Sequence, residues 1–152
     1  MCLTILEKTN KRVAVNDILV YKCLDYDSDS YSTPFQYFPI YFTENGRYWM
    51  SVKNFTYSHE GNYKNVEQGI HAYYDKEMAD DTSESFVDSC GTETHYAIIP
   101  KGAKYYIGNK GDVVTTTLII FETEKDYENY IVEKNGEKIC KIGKNSLSLQ
   151  EI

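Results

Sequence analysis

Apolar residues along this chain recur in short runs divided by turn residues, and their spacing is that of strands more often than of helices. Arg12–Val15 leads through the turn pair Asn16-Asp17 into Ile18–Leu24, a β-rich apolar run. Asp25 to Thr33 is rich in Asp, Ser and Tyr and stops before Pro34, which predicts a surface loop. Phe35–Phe42 is aromatic. The Asn45-Gly46 pair that follows predicts a hairpin joining Tyr41-Phe42 to Tyr48-Trp49-Met50, with Val52 and Phe55 extending the second arm, because both central positions of such a turn need positive φ. Ser58–Asn62 reads as a turn and Gly69–Tyr74 as a short strand, after which Asp75 can cap a one- or two-turn helix over Lys76–Asp81. Thr82–Thr94 is a polar connection. Tyr96–Ile99 and Lys104–Ile107 predict a hairpin around Pro100-Lys101-Gly102. Gly108–Gly111 is a second turn, leading to one central strand over Val113–Phe121, apolar on both faces.

The segment from 124 to 141 admits two readings. Thr123 with Asp126 resembles a helix N-cap with an acid at the third helical position, and Tyr127, Tyr130 and Ile131 share a helical face, so that Asn135-Gly136 ends the helix. Alternatively Tyr130–Lys134 and Glu137–Lys141 pair around Asn-Gly as a hairpin. Start signal and spacing agree on the helix, which is the preferred reading. Residues 1–152 are expected to form a single globular domain of the α+β class: β-dominated, mostly antiparallel, with one or two short helices and a tail frayed after Gly143.

Composition narrows the function. Sixteen Lys+Arg against 23 Asp+Glu give a formal charge of −7, and no cluster of basic residues is present, which argues against nucleic acid and against an anionic membrane surface. No apolar run reaches the roughly 18 residues of a membrane span. The four cysteines, Cys2, Cys23, Cys90 and Cys140, lack metal-finger spacing, and with no secretory signal pattern they fit reduced thiols in a cytoplasm. No metal and no cofactor is expected.

Catalytic signatures are sparse. His59, His71 and His95 form no metal-binding helix motif, and neither a phosphate loop nor a nucleophile elbow is present. His71 stands out because it lies on a predicted strand beside Tyr73-Tyr74, and histidine is the natural general base near neutral pH. The fifteen tyrosines are the dominant feature. Tyrosine orders at low entropic cost and joins an apolar body to a polar tip, which suits partner surfaces, although strands favour it too. The residues expected to bind a ligand or partner are Tyr41, Tyr48, Trp49, His71, Tyr73, Tyr105 and Tyr106.

Three passages carry a resemblance. Asp17-Ile18-Leu19-Val20-Tyr21-Lys22, Gly69-Ile70-His71-Ala72-Tyr73 and Ile99-Pro100-Lys101-Gly102-Ala103-Lys104-Tyr105-Tyr106-Ile107-Gly108 resemble, in this order, the "DI-VYK", "G-F/I-H-A/S" and "IPKG--YY-G" segments of a group of small uncharacterised proteins carried by bacteriophages and prophages. That resemblance spans roughly Val15 to Glu122 and implies a mobile-element origin, the host bacterial cytoplasm, and an accessory, host-takeover or anti-defence role. The function expected from it is a non-enzymatic binding module engaging a host protein or a small nucleotide-like ligand through a tyrosine-rich sheet face. Gly69–Tyr74 and Glu122-Thr123-Glu124 are also similar to the "GIY-x-A" strand and E-x-E of ADP-ribosyltransferases, with departures: His71 stands where tyrosine belongs, and no first-strand Arg or His lies near Tyr21. The alternative that this implies is an enzyme acting on NAD or a related nucleotide, with His71, Tyr73 and Glu124 as catalytic residues. A second alternative is a structural virion component, for which a homo-oligomer is expected.

Overall fold

A computed structural model describes residues 3–6, 11–27, 30–33, 38–85, 92–108, 110–143 and 149–151. In chain order the first strands are β1 (Leu3–Leu6), β2 (Arg12–Val13), β3 (Asp17–Asp27), β4 (Ser30–Ser32), β5 (Pro39–Ile40), β6 (Arg47–Ser51), β7 (Thr56–Glu60), β8 (Tyr63–Gln68) and β9 (Ile70–Tyr73). Helix α1 (Lys76–Ser85) precedes β10 (Thr92–Ile99), β11 (Lys104–Ile107), β12 (Asp112–Thr115) and β13 (Thr117–Phe121). Helix α2 (Glu124–Glu133), β14 (Ile139–Ile142) and β15 (Leu149–Glu151) follow. The protein is thus β-dominated α+β.

The main sheet runs β2-β11-β12-β9-β3-β10-β13-β6, with β14, β15, β4 and β5 attached beside β3. Among the described pairings β14 is parallel to β3 and the others are antiparallel. Alternation along the strands sorts side chains between two faces. On one face Ile18, Val20, Leu24, Ala97, Ile99, Leu118 and Ile120 join Ile70, Ala72, Val113 and Tyr105 in the largest core cluster. On the other, Ile98, Ile119 and Phe121 pack under Tyr130 of α2 and Ile139. With both faces of β10 and β13 covered, Ala97–Ile99 and Leu118–Phe121 are buried without alternation, as expected of central strands. A separate three-stranded sheet, β1-β8-β7, closes over β11 and β12 through Phe55, Val66, Tyr106 and Val114.

Both helices start where side chains satisfy their first backbone N–H groups. Thr123 accepts from the Asp126 N–H at 3.2 Å while Asp126 accepts from the Thr123 N–H at 3.1 Å, a reciprocal cap that selects the helix over the hairpin. Asn135 and Gly136, at φ 49° and 89°, then turn the chain out of the helix. Asp75 caps α1 by accepting from the Glu77 N–H at 3.0 Å, and the helix runs to Ser85, longer than one or two turns.

Several expectations are corrected. The stretch 25–33 is not a loop: β3 continues to Asp27 and pairs with β4, stacking Tyr26 on Tyr31. Asn45-Gly46 does form a tight turn, closed by the Thr43 N–H on the Arg47 carbonyl at 2.9 Å, but Tyr41-Phe42 is not a strand and β6 pairs with β13 instead. The 58–62 segment is mostly strand, since β7 and β8 pair around a turn at Gly61. Pro100–Gly102 is no hairpin turn: β10 lies between β3 and β13, whereas β11 pairs with β12 and β2. Val113–Phe121 is two strands, broken at Thr116, whose N–H donates to the Lys104 carbonyl. Beyond Gly143 the chain does not simply fray, because β15 pairs with β14. Cys2, Cys90, Asn109 and the start of the 35–42 run lie outside the described residues; Cys23 and Cys140 are buried thiols.

Candidate functional site

The described residues hold an opening in the main sheet where one strand loses a neighbour. Strand β10 pairs with β3 from Thr92 to Ile99, but with β13 only at Ala97 and Ile98. Below that point β13 diverges to start α2, and a cleft of about 260 Å³ opens between Glu93–Tyr96 on one side and Phe121–Glu124 on the other, with Lys76 at the margin. His95 bridges the gap where a ladder bond would otherwise lie: its Nδ1 is 2.8 Å from the Phe121 carbonyl oxygen. A carbonyl only accepts, so Nδ1 carries the hydrogen.

The imidazole is fixed on every side that the described residues reach. Tyr31 of β4 meets it edge-on, with ring centres 5.1 Å apart, and Phe42 stacks at 6.0 Å. Its side chain is 3% exposed, and Nε2 has no hydrogen-bond partner. Glu93 Oε2 stands 3.3 Å from Nε2, close enough for an ion pair but off the direction of a hydrogen bond. Burial first, and the Glu93 and Glu122 carboxylates next, push the Tyr31 phenol above its ordinary value.

The opposite face of β10 carries phenols. Tyr96 donates to Glu124 Oε1 at 3.2 Å and lies 5.0 Å from Tyr127 of α2 and 5.5 Å from Tyr21 of β3, ring centre to ring centre. Tyr73 on β9 stands opposite Tyr21 in the ladder. Burial is the main cause raising the pKa of each of these four phenols, so all are hydrogen-bond donors at neutral pH. Lys76 is tied to Asp80 at 3.0 Å. Among the described residues no three His, Cys, Asp or Glu side chains are placed to hold a metal ion.

The residues singled out from sequence are dispersed. Tyr73 and Glu124 stand at the two ends of the phenol row. His71 lies outside the cleft, on β9 opposite Val114, with its carbonyl accepting from Lys22 Nζ at 2.5 Å. Burial, with the Lys22 charge second, lowers the His71 pKa to about 4; burial lowers Lys22 itself to about 8. At neutral pH His71 is therefore uncharged. Tyr105 and Tyr106, expected on a binding face, are interior side chains, 1% and 3% exposed. Tyr105 fills the main core, and Tyr106 shares a 2.8 Å hydroxyl contact with Tyr57 beneath the small sheet. Tyr48 is half-buried against the main core.

Tyr41 and Trp49, by contrast, are open to solvent, at 74% and 60% exposure. Trp49 lies on β6, at the end of the strand order. The Arg47 carbonyl accepts from Thr43 rather than from β13, so by strand alternation the N–H and C=O of Trp49 also point away from β13. His95 and Tyr96 went unselected in the sequence because nothing local sets Glu93-Thr94-His95-Tyr96 apart from any alternating strand; the divergence of β13 is a property of the sheet. No helix among the described residues is long and apolar enough to cross a membrane. Compared with protein-family models, with curated proteins and with solved structures, the chain matches none.

Proposed function

We propose that this chain is a non-enzymatic binding module, of phage or mobile-element type, that engages a host protein by adding an extended segment of it to the β6 edge. The observation that carries this reading is Trp49, 60% exposed on a strand paired on one side only. An open edge presents unpaired N–H and C=O groups as a template for another chain, and main-chain hydrogen bonds then supply affinity. Tryptophan and tyrosine are the residues that anchor such contacts, and Tyr41, 74% exposed shortly before β6, adds a second anchor. A protein is favoured over a nucleotide-like ligand because a phosphate in the cleft would meet Glu93, Glu122 and Glu124.

Capture from host lysate tests this by comparing wild-type protein with Trp49→Ala and Tyr41→Ala. Both side chains are exposed, so each variant stays within about 0.5 kcal/mol of wild-type stability in urea unfolding. The expected result is one partner retained by wild type and lost from Trp49→Ala. Equal capture by all three proteins overturns the assignment to this edge. Light scattering that shows concentration-dependent assembly, abolished by Trp49→Ala, would replace the host partner by a second copy and favour the virion reading.

A further inference from the structure

We propose that the cleft between β10 and β13 is a receptor for an alkylammonium group, such as a lysine side chain or a polyamine presents, and that it is separate from the β6 edge. The reasoning starts from hydrogen-bond accounting. Because the Phe121 carbonyl fixes the hydrogen on Nδ1, the neutral His95 ring turns a bare lone pair on Nε2 toward Glu93. Two acceptors then stand 3.3 Å apart with no donor between them, and Nε2 is buried and without a partner. Unsatisfied buried polar atoms are rare because desolvation without a hydrogen bond is costly, so such a pair marks the place of a missing donor.

The surroundings select a cationic donor. Glu93, Glu122 and Glu124 supply three carboxylates to the walls, and the cation in the lining, Lys76, is engaged by Asp80. The Tyr96 ring offers a π face beside them, which attracts an ammonium group. A net charge of −7 adds long-range attraction for a cation. An ammonium group has three donors and no acceptor, so it can serve Nε2 and Glu93 together and leave one N–H for Glu122 or Glu124. An anion finds no complementary charge here. The volume of about 260 Å³ admits one extended amine chain, not a folded domain.

The test is a titration of the full chain with spermidine and, separately, with a lysine-containing peptide, followed through the imidazole nitrogen resonances. His59 and His71 serve as internal controls. The expected result is a saturable shift of the His95 Nε2 resonance, with His59 and His71 unmoved. Glu93→Gln, an exposed position whose change leaves the fold intact, is expected to weaken binding by about tenfold, the loss of one charge-assisted hydrogen bond. Glu124→Gln is expected to weaken it less. Saturation by spermidine alone assigns a small polyamine, and saturation by the peptide alone assigns a protein lysine; either supports the proposal. It is overturned if neither ligand saturates below millimolar concentration, or if Glu93→Gln binds like wild type. It is likewise overturned if His95 carries both ring protons at neutral pH without ligand, since the Glu93 pair is then already complete.

Discussion

Gly46 shows how one residue can be held by two requirements at once. Its φ of +71° is open to few side chains, and a Cβ there would fall 2.1 Å from the Asp126 carboxylate that caps α2. Its carbonyl also accepts from the Glu122 N–H at 2.9 Å, tying the turn to the cleft margin. Gly46→Ala is therefore expected to cost about 1–3 kcal/mol, read from urea unfolding; a neutral result would mean that this turn is not braced by the helix cap. Asp17 is a second such residue. It is 5% exposed, accepts the Tyr130 hydroxyl at 2.6 Å and the Lys101 N–H at 2.8 Å, and has Lys134 Nζ 3.7 Å away. Removing the phenol hydrogen bond with Tyr130→Phe is expected to cost about 1–3 kcal/mol, because a buried carboxylate loses one donor while the ring's packing remains. An unchanged unfolding midpoint would show that Lys101 and Lys134 suffice.

At the scale of elements, α2 does most to shape the cleft. Its cap places Glu124 at the rim, and Tyr130 and Tyr127 press on Phe121 at ring distances of 5.3 and 5.7 Å. The reciprocal Thr123–Asp126 cap predicts that Thr123→Ala loses about 1 kcal/mol and disturbs the Glu124–Tyr96 contact. Exchange of the α2 amides should rise more than that of β3; equal protection in both would deny the cap this role. The helix was legible in the sequence because capping is local: donor, acceptor and turn residues all lie within one segment. Strand partners were not. Tyr96–Ile99 and Lys104–Ile107 have the composition of a hairpin, yet they take different neighbours, because Ala103 and Gly102 bond back to Ala14 and draw β11 toward β2.

For the whole molecule, the buried bases make stability depend on pH. His71 has a folded pKa of about 4, below its unfolded value near 6.5, so the unfolded chain binds more protons between these values. Stability is thus retained above pH 6.5 and lost as pH falls toward 4. Lys22 acts in the same direction higher up: its folded value of about 8 lies below an unfolded value of about 10.4, so stability rises with pH above 8. The raised tyrosines oppose this above pH 10, where unfolded phenols ionise first. Thermal melts from pH 4 to 10 should show both rises, and Lys22→Met should unfold at a higher temperature at pH 7 while flattening the rise above pH 8. An unchanged slope in that variant would mean that Lys22 is solvated rather than buried.

The sequence by itself determined the class: a β-dominated α+β chain, the capped α2, the turns at Gly46 and Gly111, and an acidic balance unsuited to nucleic acid. These follow from period, capping and charge, which act over a few residues or need no geometry. Only the tertiary structure decided which tyrosines are wet. Tyr105-Tyr106 and Tyr48-Trp49 look alike in the chain, yet the first pair is covered on both faces of β11, while β6 ends the sheet and leaves Trp49 in water. It also decided that His95 rather than His71 faces a cleft, because that depends on where β13 leaves β10, a choice made by packing between residues far apart in the chain.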